Sequence, residues 1–298
     1  MYTRTPLIIC LLTFFLKGYS QDFRYIILDN LRDKSKITNY TLRVRDLYDY
    51  DGSIELFNIR PNPIASLPKT YSDVLILCSV LPDFESSENW SSIDSTDLKT
   101  NIISFQELLE DVTSSLNILD MQIKKDTKFL HKYQVVKKVG DQYLVSKKCL
   151  VEFYAIREYP SNYNIPYATI DTTQKKVSIR DMKNVFEGLL QEKKVFPLDI
   201  HELPTYLDDN LRVRREYLTS IFKLKDDTAY KFWTFTDWSI TDGWNVDRGI
   251  DRFIYIPNKG IVGGSYDFYF HFLNRIHDSN KWFKNILNEN VMIAEEFK

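Results

Sequence analysis

The chain has 298 residues, 44% apolar and 14% aromatic, with 39 Lys and Arg against 41 Asp and Glu for a formal charge of −2. That length and apolar content support a sizeable core, and only 9 Gly and 10 Pro exclude a disordered or collagen-like chain. Basic and acidic residues are interspersed, and the densest basic cluster is Arg212, Arg214 and Arg215. The concentrated positive surface that nucleic-acid binding requires is therefore not expected.

Residues 1–20 have the form of a secretory signal peptide. Arg4 supplies the charged start, Leu7 to Leu16 a ten-residue apolar core, and Gly18 and Ser20 the small residues before cleavage at Gln21. The apolar core falls short of the roughly 20 residues that a membrane-spanning helix needs. The expectation is export to the periplasm or the extracellular space, with no transmembrane segment in the mature chain. Cys78 and Cys149 then remain. In an oxidising compartment they are a candidate disulfide, worth on the order of 4 kcal/mol in the loop-entropy account. The alternative is a pair of buried thiols, because both sit in apolar, strand-like surroundings.

Taken in order, Phe23, Ile27 and Leu31 fit a short helix, while Tyr25 to Leu28 fits a strand equally well. A hairpin follows, with Thr41 to Arg45 and Ile54 to Phe57 on either side of Asp51-Gly52. The acidic residues Asp46, Asp49 and Asp51 lack EF-hand spacing and its closing Glu, so they read as a solvated turn. Val74 to Val80 reads as a buried strand. The stretch 85–103 is Ser-rich and reads as a linker or loop. Asn39-Tyr40-Thr41 and Asn89-Trp90-Ser91 match the N-glycosylation sequon.

A capping box of Ser104 and Glu107 opens the clearest helical pattern. Phe105, Leu109, Val112, Leu116, Leu119, Ile123 and Leu130 form one seam, which predicts a long amphipathic helix over about 104–130. From Tyr133 the period becomes two, and three strands over 134–155 predict an antiparallel meander. Ala168 to Ile170 and Lys176 to Ile179 predict a further hairpin. Two helices are predicted next, one with Met182, Val185, Phe186, Leu189 and Leu190 inward, and one with Leu207, Leu211, Leu218, Ile221 and Phe222 inward. Ala229 to Phe235, Phe253 to Ile256 and Gly264 to Phe270 predict strands, with a turn at Pro257 to Gly260, before a closing helix through Phe283 and Leu287.

Strands in runs and helices in runs predict an α+β fold: an antiparallel sheet, the long helix and two to three further helices. The expected organisation is a signal peptide (1–20), an N-terminal α+β segment (21–84), the linker (85–103) and a main α+β domain (104–298). A single mature domain over 21–298 is the alternative.

No catalytic signature stands in the chain. The histidines His131, His201, His271 and His277 include no His-Glu-x-x-His and no pair at i, i+4, so no metal and no cofactor is expected. Gly263-Gly264-Ser265-Tyr266-Asp267 is not the Gly-x-Ser-x-Gly elbow. Interest falls on the aromatic and acidic loop with Asp237, Trp238, Asp242, Trp244, Asp247 and Asp251. Tryptophan stacks on sugars or apolar groups and carboxylates accept from hydroxyls, although Trp on a loop also packs back on its sheet. The favoured reading is a non-enzymatic exported protein that binds a protein or glycan partner through this loop. A cell-envelope interaction or toxin neutralisation would be a concrete form of it. The alternative is a carbohydrate-active hydrolase using paired Asp residues of the same loop.

Overall fold

A computed structural model of the chain describes residues 23–62, 73–116, 127–158, 168–178, 180, 216–234, 249–272 and 279–298. In chain order the elements are β1 (Arg24–Ile27), α1 (Leu28–Leu31), β2 (Ser35–Arg43), β3 (Ser53–Pro61), β4 (Asp73–Val80), β5 (Trp90–Ile93), α2 (Ser95–Leu98) and α3 (Phe105–Leu116). There follow β6 (Lys128–Phe129), β7 (Tyr133–Val139), β8 (Gln142–Ser146), β9 (Cys149–Arg157), β10 (Thr169–Asp171), β11 (Glu216–Leu224) and β12 (Asp227–Thr234). The last are β13 (Arg252–Ile256), β14 (Gly260–Ser265), α4 (Asp267–Phe272), α5 (Ser279–Leu287) and β15 (Met292–Ile293). The fold is mostly β, in three sheets with short helices, which corrects the expected α+β architecture.

The middle sheet has the order β10-β9-β4-β3-β2, with β6 also paired to β9. Two of its three inner strands, over Val74 to Val80 and Cys149 to Arg157, are buried at every position. A strand covered on both faces needs no polar alternation, which is why β4 reads from Val74 as an apolar run interrupted only by Ser79. One face meets the sheet β1-β7-β8-β5. There the ring of Tyr133 lies 6.0 Å from Phe153, and Trp90 lies 6.1 Å from Phe57, edge to face. The other face meets the sheet β11-β12-β13-β14-β15, with Phe253 5.6 Å from Tyr154. One apolar cluster runs through all three layers, from Ile26 to Phe297.

The long helix over 104–130 does not form. α3 is described over Phe105–Leu116, residues 117–126 lie outside the described residues, and Lys128–Phe129 is a strand beside β9, so no helix runs through to 130. A seven-residue seam cannot distinguish a continuing helix from a strand whose alternate residues are apolar. Here Lys128 is drawn opposite Glu152, and tertiary pairing overrides local period. The second late helix is also corrected. Leu218, Ile221 and Phe222 stand on β11, hairpin-paired with β12 around Lys225 at φ +51°. Aromatic and β-branched Tyr217, Thr219, Ile221 and Phe222 favour that strand. Leu207, Leu211 and the helix expected at Met182 to Leu190 lie outside the described residues.

The meander is cut short. β7 and β8 pair around Gly140, but β9 leaves to the middle sheet. β10 pairs parallel with β9, and residues 176–178 carry no strand. β14 ends at Ser265, and Asp267 to Phe272 is helical rather than strand. The stretch 85–103 contributes β5 to a sheet, antiparallel to β8. Asp46, Asp49 and Asp51 each face a base, Lys298, Lys281 and Arg45 respectively.

The expected capping box is present. Glu107 N donates to Ser104 Oγ at 3.2 Å, and Ser104 N donates to Glu107 Oε2 at 2.8 Å. These bonds, joined by Arg24 at 2.8 Å, lower the Glu107 pKa from 4.5 to about 2. A depressed carboxylate stabilises the fold above its ordinary pKa, and the contribution is lost as pH falls from 4.5 towards 2. Glu107→Gln should therefore reduce the loss of thermal stability across that window, as read by circular dichroism melts at successive pH values. An unchanged acid profile would show that the box contributes nothing.

Candidate functional site

The loop that the sequence singled out joins two neighbouring strands. β12 and β13 pair antiparallel, with Trp233 opposite Arg252. The ladder closes where Thr234 N donates to the Asp251 carbonyl at 2.8 Å. Strands paired this way need a connection of only about two to five residues, yet the chain spends residues 235–251 on it. Asp237, Trp238, Asp242, Trp244 and Asp247 lie outside the described residues. Asp251 is described, and it does not face outward. It is 0% exposed, and its Oδ2 accepts from Phe268 N at 3.3 Å, at the start of α4.

The returning limb of the loop is held by a buried ion pair. Lys128 Nζ stands 3.1 Å from Glu152 Oε1, with the side chains 2% and 0% exposed. Glu152 accepts the Ile250 amide at both carboxylate oxygens, at 3.2 and 3.1 Å, while Lys128 donates to the Ile250 carbonyl at 3.4 Å. Tyr154 OH completes the shell at 2.8 Å. A single residue, Ile250, is thus gripped at its amide by an acid and at its carbonyl by a base. Hydrogen bonds to charged groups are the strong kind, and a buried pair needs such partners to offset its desolvation.

Gly249 makes the approach physically possible. Its φ is +71°, and a Cβ there would sit 2.6 Å from Lys128 Cδ and closer still to Glu152 Oε1. Only glycine meets both demands. Ile250 in turn presses against Gly264, where a Cβ would lie 2.8 Å from Ile250 Cγ1.

A second buried pair flanks the first. Arg252 forms a forked ion pair with Asp267, one arm at 3.2 Å, and its Nε donates to the Asn290 carbonyl at 3.1 Å. Asp267 also accepts from Tyr48 OH at 2.8 Å, and Tyr48 OH accepts from Tyr266 N at 2.7 Å. Tyr266 OH meets Ser79 Oγ at 2.6 Å. Burial pushes the Tyr48 and Tyr266 phenols well up, so both stay neutral. Burial opposes the Arg252 charge, but Asp267 outweighs it and raises its pKa. A third tie, from Asn58 to the Ile261 amide (2.7 Å) and carbonyl (3.0 Å), secures β14 to β3.

None of Lys128, Glu152, Arg252, Asp267 and Tyr48 was singled out from the sequence. The available signal was Glu152 itself, a charge in the middle of the apolar run Cys149 to Ala155. Cys78 and Cys149 are free thiols, both buried. Val80 lies opposite Cys149 and Cys78 opposite Val151, so the cysteines are diagonal neighbours. The contact with Cys149, then burial, raises the Cys78 pKa well above its ordinary value.

Among the described residues no group of three or more His, Cys, Asp or Glu is placed to hold a metal ion, and no helix is long and apolar enough to cross a membrane. No protein-family model, no curated protein and no solved structure matches the chain.

Proposed function

We propose that the chain is an exported, non-enzymatic protein that binds a macromolecular partner, protein or glycan, through the 235–251 connection. A cell-envelope interaction or the neutralisation of a toxin is the form this role would take. The observation that carries the reading is the mismatch between that connection and its ends. Adjacent strands need only a tight turn, and long connections on a rigid frame are where proteins place recognition residues. The frame at the root is rigid in a specific sense: Thr234, Ile250 and Asp251 are buried and hydrogen-bonded on both sides. A fixed root lowers the entropic cost of presenting recognition residues to a partner.

Of the four carboxylates that the hydrolase alternative draws on, Asp251 is buried and engaged with α4, away from any open cleft. Asp237, Asp242 and Asp247 lie outside the described residues.

The test is a pair of loop variants, Trp238→Ala and Trp244→Ala, compared with wild type for crosslinked partners in the exported fraction and for binding to a panel of immobilised glycans. The expected result is at least a tenfold loss of binding, with melting temperature unchanged. An identical set of partners at identical affinity would overturn the proposal.

A further inference from the structure

The two sequons lie in contrasting places. Asn39 stands in β2, which among the described residues is the outermost strand of the middle sheet. Its side chain is exposed and points to the same side of the sheet as Phe57 opposite it. It lies beyond the edge of the covering sheet, whose Trp90 packs on Phe57 itself. Its neighbours Thr38 and Tyr40 point the other way, both donating to the Lys259 carbonyl at 3.1 Å. Asn39 is thus free to carry a bulky group without disturbing either packed face.

Asn89 is built in. It is half-buried, its Nδ2 donates to the Ser53 carbonyl at 3.0 Å, and its own carbonyl accepts from Lys147 N at 2.9 Å. The next residue, Trp90, donates to Glu55 Oε1 at 2.5 Å and lies under Lys137 Nζ at 3.7 Å. A sugar on Asn89 Nδ2 would enter the seam between β3 and β5.

We propose that Asn39 is an N-linked glycan acceptor and that Asn89 stays unmodified in the folded protein. The inference rests on the export reading above, because the modification requires a secretory lumen. The Asn39 amide nitrogen attacks the anomeric carbon of a lipid-diphosphate-linked oligosaccharide. The C–N bond forms as the C–O bond to the diphosphate breaks, the amide loses one proton, and the lipid diphosphate leaves. The glycan then stands beside the outer edge of the middle sheet, next to the point where Glu296 of the C-terminal turn accepts from the Thr41 amide at 3.4 Å.

The test expresses the full chain in a glycosylating eukaryotic cell in two forms, one with residues 1–20 as they are and one with them exchanged for a leader of known competence. Secreted and lumenal material is digested with a peptide N-glycosidase and mapped by mass spectrometry. The expected result is one glycan, whose release leaves an aspartate at position 39. It is lost in Asn39→Gln and Thr41→Ala, and kept in Thr41→Ser and Asn89→Gln. A glycan at Asn89, with or without one at Asn39, overturns the proposal, and so does a chain with the competent leader that is bare at both positions. If only the exchanged leader yields the Asn39 glycan, the acceptor stands and the export reading falls.

Discussion

Glu152→Gln is expected to destabilise the fold by about 3–5 kcal/mol, because it leaves the Lys128 ammonium buried without its counter-charge. For a chain of this size that is a fall in melting temperature on the order of 10 °C. Gln keeps an acceptor for the Ile250 amide and Tyr154 OH, so the substitution isolates the charge from the hydrogen bonds. Lys128→Met added to Glu152→Gln removes the second charge and should recover at least half of the loss. Hydrogen exchange at the Ile250 amide distinguishes this clamp from a general softening. In Glu152→Gln, protection at Ile250 should fall further than protection at Phe253, which lies within the β12–β13 ladder. A single variant as stable as wild type would show that the pair does not hold the loop root.

Asp267→Asn is the companion experiment, expected to cost about 3–5 kcal/mol by the same reasoning, since Arg252 is also fully buried. Tyr48→Phe tests the neutral arm of the network. It deletes one hydrogen bond to Asp267 and leaves the Tyr266 amide without its acceptor. A loss of about 1–3 kcal/mol is expected from an unsatisfied buried group. The order of the two effects, from urea unfolding midpoints, is the informative result. If Tyr48→Phe were the more damaging, the hydroxyl rather than the ion pair would be the main hold on the start of α4.

The apolar strands were legible in the sequence because their signal is local. Val74 to Val80 is a continuous run, Gly140-Asp141 marks a turn, and Ser104 with Glu107 marks a helix start, and the structure has all three. The end of that helix was not legible. Lys128 becomes a strand residue because Glu152, far along the chain, pairs with it, and no window around Lys128 contains that fact. The same holds for β11, where helical spacing of Leu218, Ile221 and Phe222 coexists with residue types that prefer strands, and pairing with β12 decides between them. Of the candidate site, the loop's composition and its Gly249 were visible, but its anchoring was not. Asp251 was grouped with the loop carboxylates by spacing alone, whereas its position one residue before β13 buries it.

The Asn58–Ile261 tie has a consequence for how the chain comes to be folded. Donor and acceptor are 203 residues apart. At ribosomal rates of about 5–20 residues per second, Asn58 is made on the order of ten to forty seconds before its partner exists. Glu152 and Lys128 likewise wait for Ile250. The middle sheet is therefore capped on one face only after nearly the whole chain has been synthesised. Until then the face of the middle sheet that carries Asn58 and Tyr154 has no sheet to pack against.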